Sequence, residues 1–210
     1  MTTFQGIIAV CVCPMLVVPA LAANSYNEAV NGNLSTNQSS PTPFTIASGT
    51  NPVIGSVGPG NSADWIAITV PAGLQLSSDV LAVYTSTDSQ GFTGFQAGSA
   101  FVGNPETTAS AYEGYTHFGT SVTNGSLPVQ NLAGADLLPI MANPADAPGS
   151  QGFTPPLAAG TYTFLIQQLG AATSYEFDFG ASAVPEPAAL GLLGLGGIGL
   201  AAAAYKRRSR

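Results

Sequence analysis

Side chains able to do chemistry are few in this chain and unevenly placed. His117 is the only imidazole, and Cys11 and Cys13 are the only thiols. The eleven carboxylates all lie between Glu28 and Glu186, whereas every Lys and Arg sits in Lys206-Arg207-Arg208-Ser209-Arg210. A Ser-His-Asp triad would have to recruit the lone His117, and no Gly-x-Ser-x-Gly, His-Glu-x-x-His or Gly-x-x-x-x-Gly-Lys pattern occurs. Paired carboxylates for glycoside cleavage would have to be gathered from distant positions such as Asp64, Asp88, Glu106, Glu113, Asp136 and Asp146. No catalytic residue is assigned on these grounds, and the chain is expected not to be an enzyme. Oxygen ligands are plentiful and a calcium ion would relieve the unbalanced negative field, yet no Asp-x-Asp-x-Asp-Gly loop is present. No metal ligand is assigned and no cofactor is expected, structural calcium being the alternative. Trp65, Tyr112, Tyr115 and Phe118 are the candidate ligand contacts, since an aromatic face can stack on a sugar ring; packing beneath a loop is the competing reading.

The charge distribution narrows the partners. With a net charge of −7 and no base before residue 206, the body cannot form a Lys or Arg ion pair. Its stability must come from apolar burial and backbone hydrogen bonds. Such a polyanion repels nucleic acid and anionic lipid surfaces, which excludes both as ligands of the body.

The elements that must position these residues are strands. Gly, Pro, Ser, Thr and Asn are abundant and long helical periods are absent between the termini. Strand patterns occur at Phe44–Ala47, Val53–Val57, Val80–Thr85 and Phe92–Ala97, with Gly58-Pro59-Gly60-Asn61 as a turn. In Asp64-Trp65-Ile66-Ala67-Ile68-Thr69-Val70 the period of two puts Ile66, Ile68 and Val70 on one face and Trp65 on the other. The runs Thr161–Gln167 and Ser174–Phe179 read as a hairpin. Between them and the earlier strands, 102–156 reads as a long loop with a short helix at Ala135–Met141, the place to look for a binding surface. The fold class expected is all-β, an antiparallel β-sandwich. Asp64–Gly73 and Leu157-Ala158-Ala159-Gly160-Thr161-Tyr162 are similar to two strands of the bacterial pre-peptidase C-terminal domain, which implies a jelly-roll-like accessory or adhesive module.

Both ends read as membrane-directed. Met1–Ala22 has the apolar run and the Ala20-Leu21-Ala22 site of a secretory signal peptide, cleaved after Ala22, which removes both cysteines. At the other end, the apolar run from Ala188 to Tyr205 makes a helix of about 27 Å, enough to span a hydrocarbon core of about 30 Å. Lys206, Arg207, Arg208 and Arg210 then stop transfer on the cytoplasmic side and leave the body outside. The expected organisation is a signal peptide at 1–22, a polar leader or edge strand at 23–43, a β-sandwich domain at 44–183 and a tail at 184–210. That tail divides into a motif at 184–187, a transmembrane helix at 188–205 and a basic end at 206–210.

Pro185-Glu186-Pro187, the Gly-rich apolar run and the Arg-rich end together resemble the PEP-CTERM sorting signal of Gram-negative bacteria. The resemblance implies recognition by exosortase, a membrane protease. The two prolines hold the backbone extended, as a protease requires; a plain single-pass anchor is the alternative. The implied route is an inner-membrane-anchored precursor that ends at the cell surface or outside. The implied role is structural or adhesive, linked to exopolysaccharide or biofilm. The alternative is a secreted polysaccharide-binding module or carbohydrate-active enzyme.

Overall fold

The structure is a computed structural model that describes residues 23–124 and 128–185. The signal peptide with Ala20 and Ala22, the residues Glu186 and Pro187, the stretch 188–205 and Lys206, Arg207, Arg208 and Arg210 lie outside the described residues. Among the described residues no helix is long and apolar enough to cross a membrane.

Two sheets make up the body. One contains β1 (Tyr26–Asn27), β3 (Gly49–Val57), β5 (Leu74–Ser86) and β9 (Thr173–Ala183), in the order β1-β3-β9-β5. The other contains β2 (Thr42–Thr45), β4 (Ala63–Val70), β6 (Gln90–Ala97), β7 (Gly114–Gly119) and β8 (Gly160–Gln167), in the order β2-β4-β8-β6-β7. Alternation turns Val53, Leu81, Phe177 and Phe179 of the first toward Ile66, Phe95, Phe118 and Phe164 of the second, forming one core. The rings of Phe164 and Phe179 meet across it at 5.2 Å, and those of Phe118 and Phe177 at 5.1 Å, both edge to face. This is a mostly β, two-sheet arrangement, consistent with the sandwich that the strand spacing calls for.

Two features differ from the sequence reading, and a third decides between its alternatives. First, the runs at 161–167 and 174–179 do not form a hairpin: β8 and β9 lie in opposite sheets, each between two other strands. The residues between them cross the edge of the sandwich, held by the Gln168 side chain, which donates to the Gln90 carbonyl and accepts from Gly170 N–H. Second, the pairing is not wholly antiparallel, since β1 runs parallel to β3 and β2 parallel to β4. Third, of the two readings of residues 23–43, polar leader or edge strand, the edge strand is the one seen, since β1 and the start of β2 border the two sheets. Leu34 is buried in the core, and the Glu28 carboxylate accepts from Leu34 N–H and Ser56 N–H, each at 2.8 Å. This segment covers an edge of each sheet, where unpaired backbone would otherwise template aggregation.

Two short helices occur among the described residues, α1 (Glu28–Asn31) and, within the segment 102–156 that also holds β7, α2 (Leu138–Met141). Residues 134–137 of that segment lie along β5, where Gly134 N–H donates to Leu81 O at 2.7 Å and Leu137 N–H to Asp79 O at 2.7 Å. Asp136 Oδ1 accepts from Asp79 N–H at 2.9 Å and from Leu138 N–H at 3.1 Å, starting α2.

Candidate functional site

The outward face of the second sheet carries a second aromatic layer. Trp65 on β4 and Leu165 on β8 are covered by Phe101, Ala111 and Tyr112, which come from the start of the long loop. Trp65 and Phe101 lie 5.1 Å apart, and Phe101 and Tyr112 4.8 Å. Gln96 holds this cover in place: its side-chain amide donates to Ala111 O at 2.6 Å and its oxygen accepts from Val102 N–H at 2.7 Å. Gly94 makes room for it, because a Cβ there would come within 2.7 Å of both Tyr112 and Tyr115.

Where the cover ends, a cleft of about 410 Å³ opens. Its floor is a row in register across three strands, Gln167 on β8, Phe92 on β6 and His117 on β7. Pro105, Glu106, Asp88, Gln168 and Leu169 also line it. A second depression of about 230 Å³ shares Phe92, Pro105 and Glu106 and continues to Tyr112 and Tyr115. Phe92 thus borders both, with the rings of Tyr115 and His117 at 5.7 and 5.6 Å.

The polar groups of the cleft are held by short bonds. Gln167 Nε2 donates to Glu106 Oε1 at 2.7 Å, and Asp88 Oδ1 accepts from Ser89 N–H at 2.7 Å. His117 Nδ1 lies 3.2 Å from Asn124 Oδ1. An amide oxygen can only accept, so Nδ1 is the donor of this contact, and in the neutral ring Nε2 is left as an acceptor. The site offers carboxylates, amides, one imidazole acceptor and an aromatic floor. It has no Lys or Arg, since none exists before residue 206.

Of the aromatic candidates named from sequence, only Tyr115 borders this space while part-exposed. Trp65 and Tyr112 are buried within the outer layer, and Phe118 is buried in the main core against Phe177 and Tyr84. Burial removes the faces of Trp65 and Phe118 from any dissolved ring. Strand alternation explains the split, since His117 and Tyr115 share one face of β7 and Phe118 takes the other. Phe92, His117 and Gln167 are contacts absent from the sequence reading, although the same alternation in β6 and β8 sets Phe92 and Gln167 opposite the buried Phe95 and Ile166.

Two further acidic sites are buried. Asp64 receives hydrogen bonds from Tyr175 and Asn61, and burial pushes its carboxyl up to about 7. Asp79 is fully buried, and neither carboxyl oxygen has a partner. Among the described residues no group of three or more His, Cys, Asp or Glu side chains is placed to hold a metal ion.

Pro185, the first residue of the Pro-Glu-Pro motif, is exposed just beyond β9, and Val184 N–H donates to Gly73 O at 2.9 Å. No curated protein and no solved structure matches the chain. The family model of the PEP-CTERM protein-sorting motif matches residues 183–208. That motif implies surface sorting that depends on exosortase, the membrane protease that recognises it. The match begins at the last residue of β9, so this chain bears a PEP-CTERM sorting signal joined without a linker to the final strand of its sandwich.

Proposed function

We propose that the chain is an exported protein, held in the inner membrane as a precursor and released by exosortase to the cell surface or extracellular matrix. Its role there is structural and adhesive rather than catalytic, linked to exopolysaccharide or biofilm. The match of the sorting motif to residues 183–208 carries the reading. An acidic body without Lys or Arg suits it, because no such cation before residue 206 attracts the body to anionic lipid or nucleic acid. The body is proposed to need no cofactor, with a proton rather than calcium neutralising Asp79, and the likeness to the pre-peptidase C-terminal domain fits an adhesive module. The cleft favours a second reading, a polysaccharide-binding module.

The test replaces Pro185, Glu186 and Pro187 with Ala in the producing bacterium and follows the protein by fractionation. The substituted chain is expected to accumulate in the inner membrane with its tail uncleaved. Unchanged delivery to the surface would reject the sorting route.

A further inference from the structure

We propose that the cleft over Phe92 is a saccharide site that accepts uncharged or amino-bearing sugars and turns acidic sugars away. The inference rests on the surface-delivered, adhesive reading for where the ligand is met. Its chemistry stands on the cleft.

A sugar ring presents an apolar C–H face and a rim of hydroxyls, and the cleft matches both. Phe92 forms a part-exposed floor, and Leu169, 62 % exposed, adds an apolar rim. Around them stand hydrogen-bond acceptors: the Asp88 and Glu106 carboxylates, Nε2 of His117 and the amide oxygen of Gln167. Hydroxyls donate to all four. Several of these groups are already fixed, Gln167 by Glu106, His117 by Asn124 and Asp88 by Ser89, so little side-chain freedom is lost on binding. The two depressions share Phe92, Pro105 and Glu106, so a chain longer than one ring can continue from one into the other.

Charge sets the class of sugar. A uronate, sulfate or phosphate would meet Asp88 and Glu106 with no cation on the body to offset them. A neutral sugar avoids that repulsion, and an amino sugar gains an ion pair.

The test is calorimetric titration of the full chain in detergent, with EDTA present, using four hexasaccharides: cello-, manno-, chitosan- and alginate-derived. Binding of at least one neutral or amino hexamer is expected, with none of the alginate hexamer at the same concentration. Phe92→Ala and Glu106→Gln should each weaken the bound hexamer roughly tenfold. Val30→Ser, on an exposed residue outside the cleft, should leave it unchanged. Glu106 lies on an exposed loop, so its variant answers the question even where Phe92→Ala fails to fold. The proposal is overturned by preference for alginate, by silence with all four sugars, or by binding that neither variant alters. Protein stranded in the inner membrane yet binding normally would sink the delivery route alone. Normal delivery without binding would sink the saccharide site alone.

Discussion

The Tyr175 hydroxyl donates to Asp64 Oδ2 at 2.7 Å, tying β9 of one sheet to β4 of the other through the core. Burial raises the Asp64 carboxyl from 3.8 to about 7; the Tyr175 hydrogen bond opposes that rise and the Glu28 charge adds to it. The folded state therefore holds a proton that the unfolded chain releases near pH 4. This stabilisation is complete below about pH 4 and is lost as pH climbs to about 7, on the order of 4 kcal/mol in all. Urea melts between pH 4 and 8 should show this decline, and Asp64→Asn should flatten it. Tyr175→Phe should cost about 1–3 kcal/mol, because it leaves Asp64 short of a donor. Parallel pH profiles for the native and Asp64→Asn proteins would refute the assignment.

Burial, and then the charges of Asp136 and Asp178, hold the Asp79 carboxyl well above its usual range. Its contribution has the same sign: full in acid and lost as pH rises toward the folded value. Asp79→Asn is expected to change stability little at pH 4 and to raise it at pH 8, since a neutral group replaces one that resists ionising. EDTA should leave the Tm of the native protein unchanged. A Tm that rises with added calcium would mean that a cation does the neutralising.

Trp65 is the only tryptophan and lies in the outer layer rather than the main core. Its emission should be blue-shifted in the native state and should report the loss of that layer. Gly94→Ala, which drives a Cβ into Tyr112 and Tyr115, should cost about 1–3 kcal/mol and shift that emission to the red. Emission that stays native in the variant would mean that the layer does not depend on the space at Gly94.

Trypsin has no site between residues 1 and 205, so the body should survive digestion even in denaturant. Intact-mass measurement of protein recovered from the medium should show a chain that has lost residues 206–210. Retention of that basic end in released protein would contradict cleavage at the sorting signal.

The inward face of β4 was legible because Ile66, Ile68 and Val70 alternate with smaller or polar neighbours, and Trp65 falls opposite them. The pairing of β8 was not legible. Its alternation and that of β9 state which side faces the core, but not whether two such strands lie side by side or face to face. β7 is not legible because Gly114 and Gly119 bound a run whose inward face, Gly114, Thr116 and Phe118, carries a single large apolar side chain. The cleft was hidden for a related reason: Phe92, His117 and Gln167 are distant in sequence and become a row only through register between three strands.

β9 comes last in the sequence and in the middle of its sheet, bonded along both sides by β3 and β5. The first sheet consequently cannot close until residues 173–183 are available. In a polypeptide threaded through a membrane unfolded, the body stays pliable for nearly its whole passage and locks only as its sorting signal reaches the bilayer. Cutting beyond Val184 would then free a finished domain whose final strand is already clamped, with no loose end to unravel.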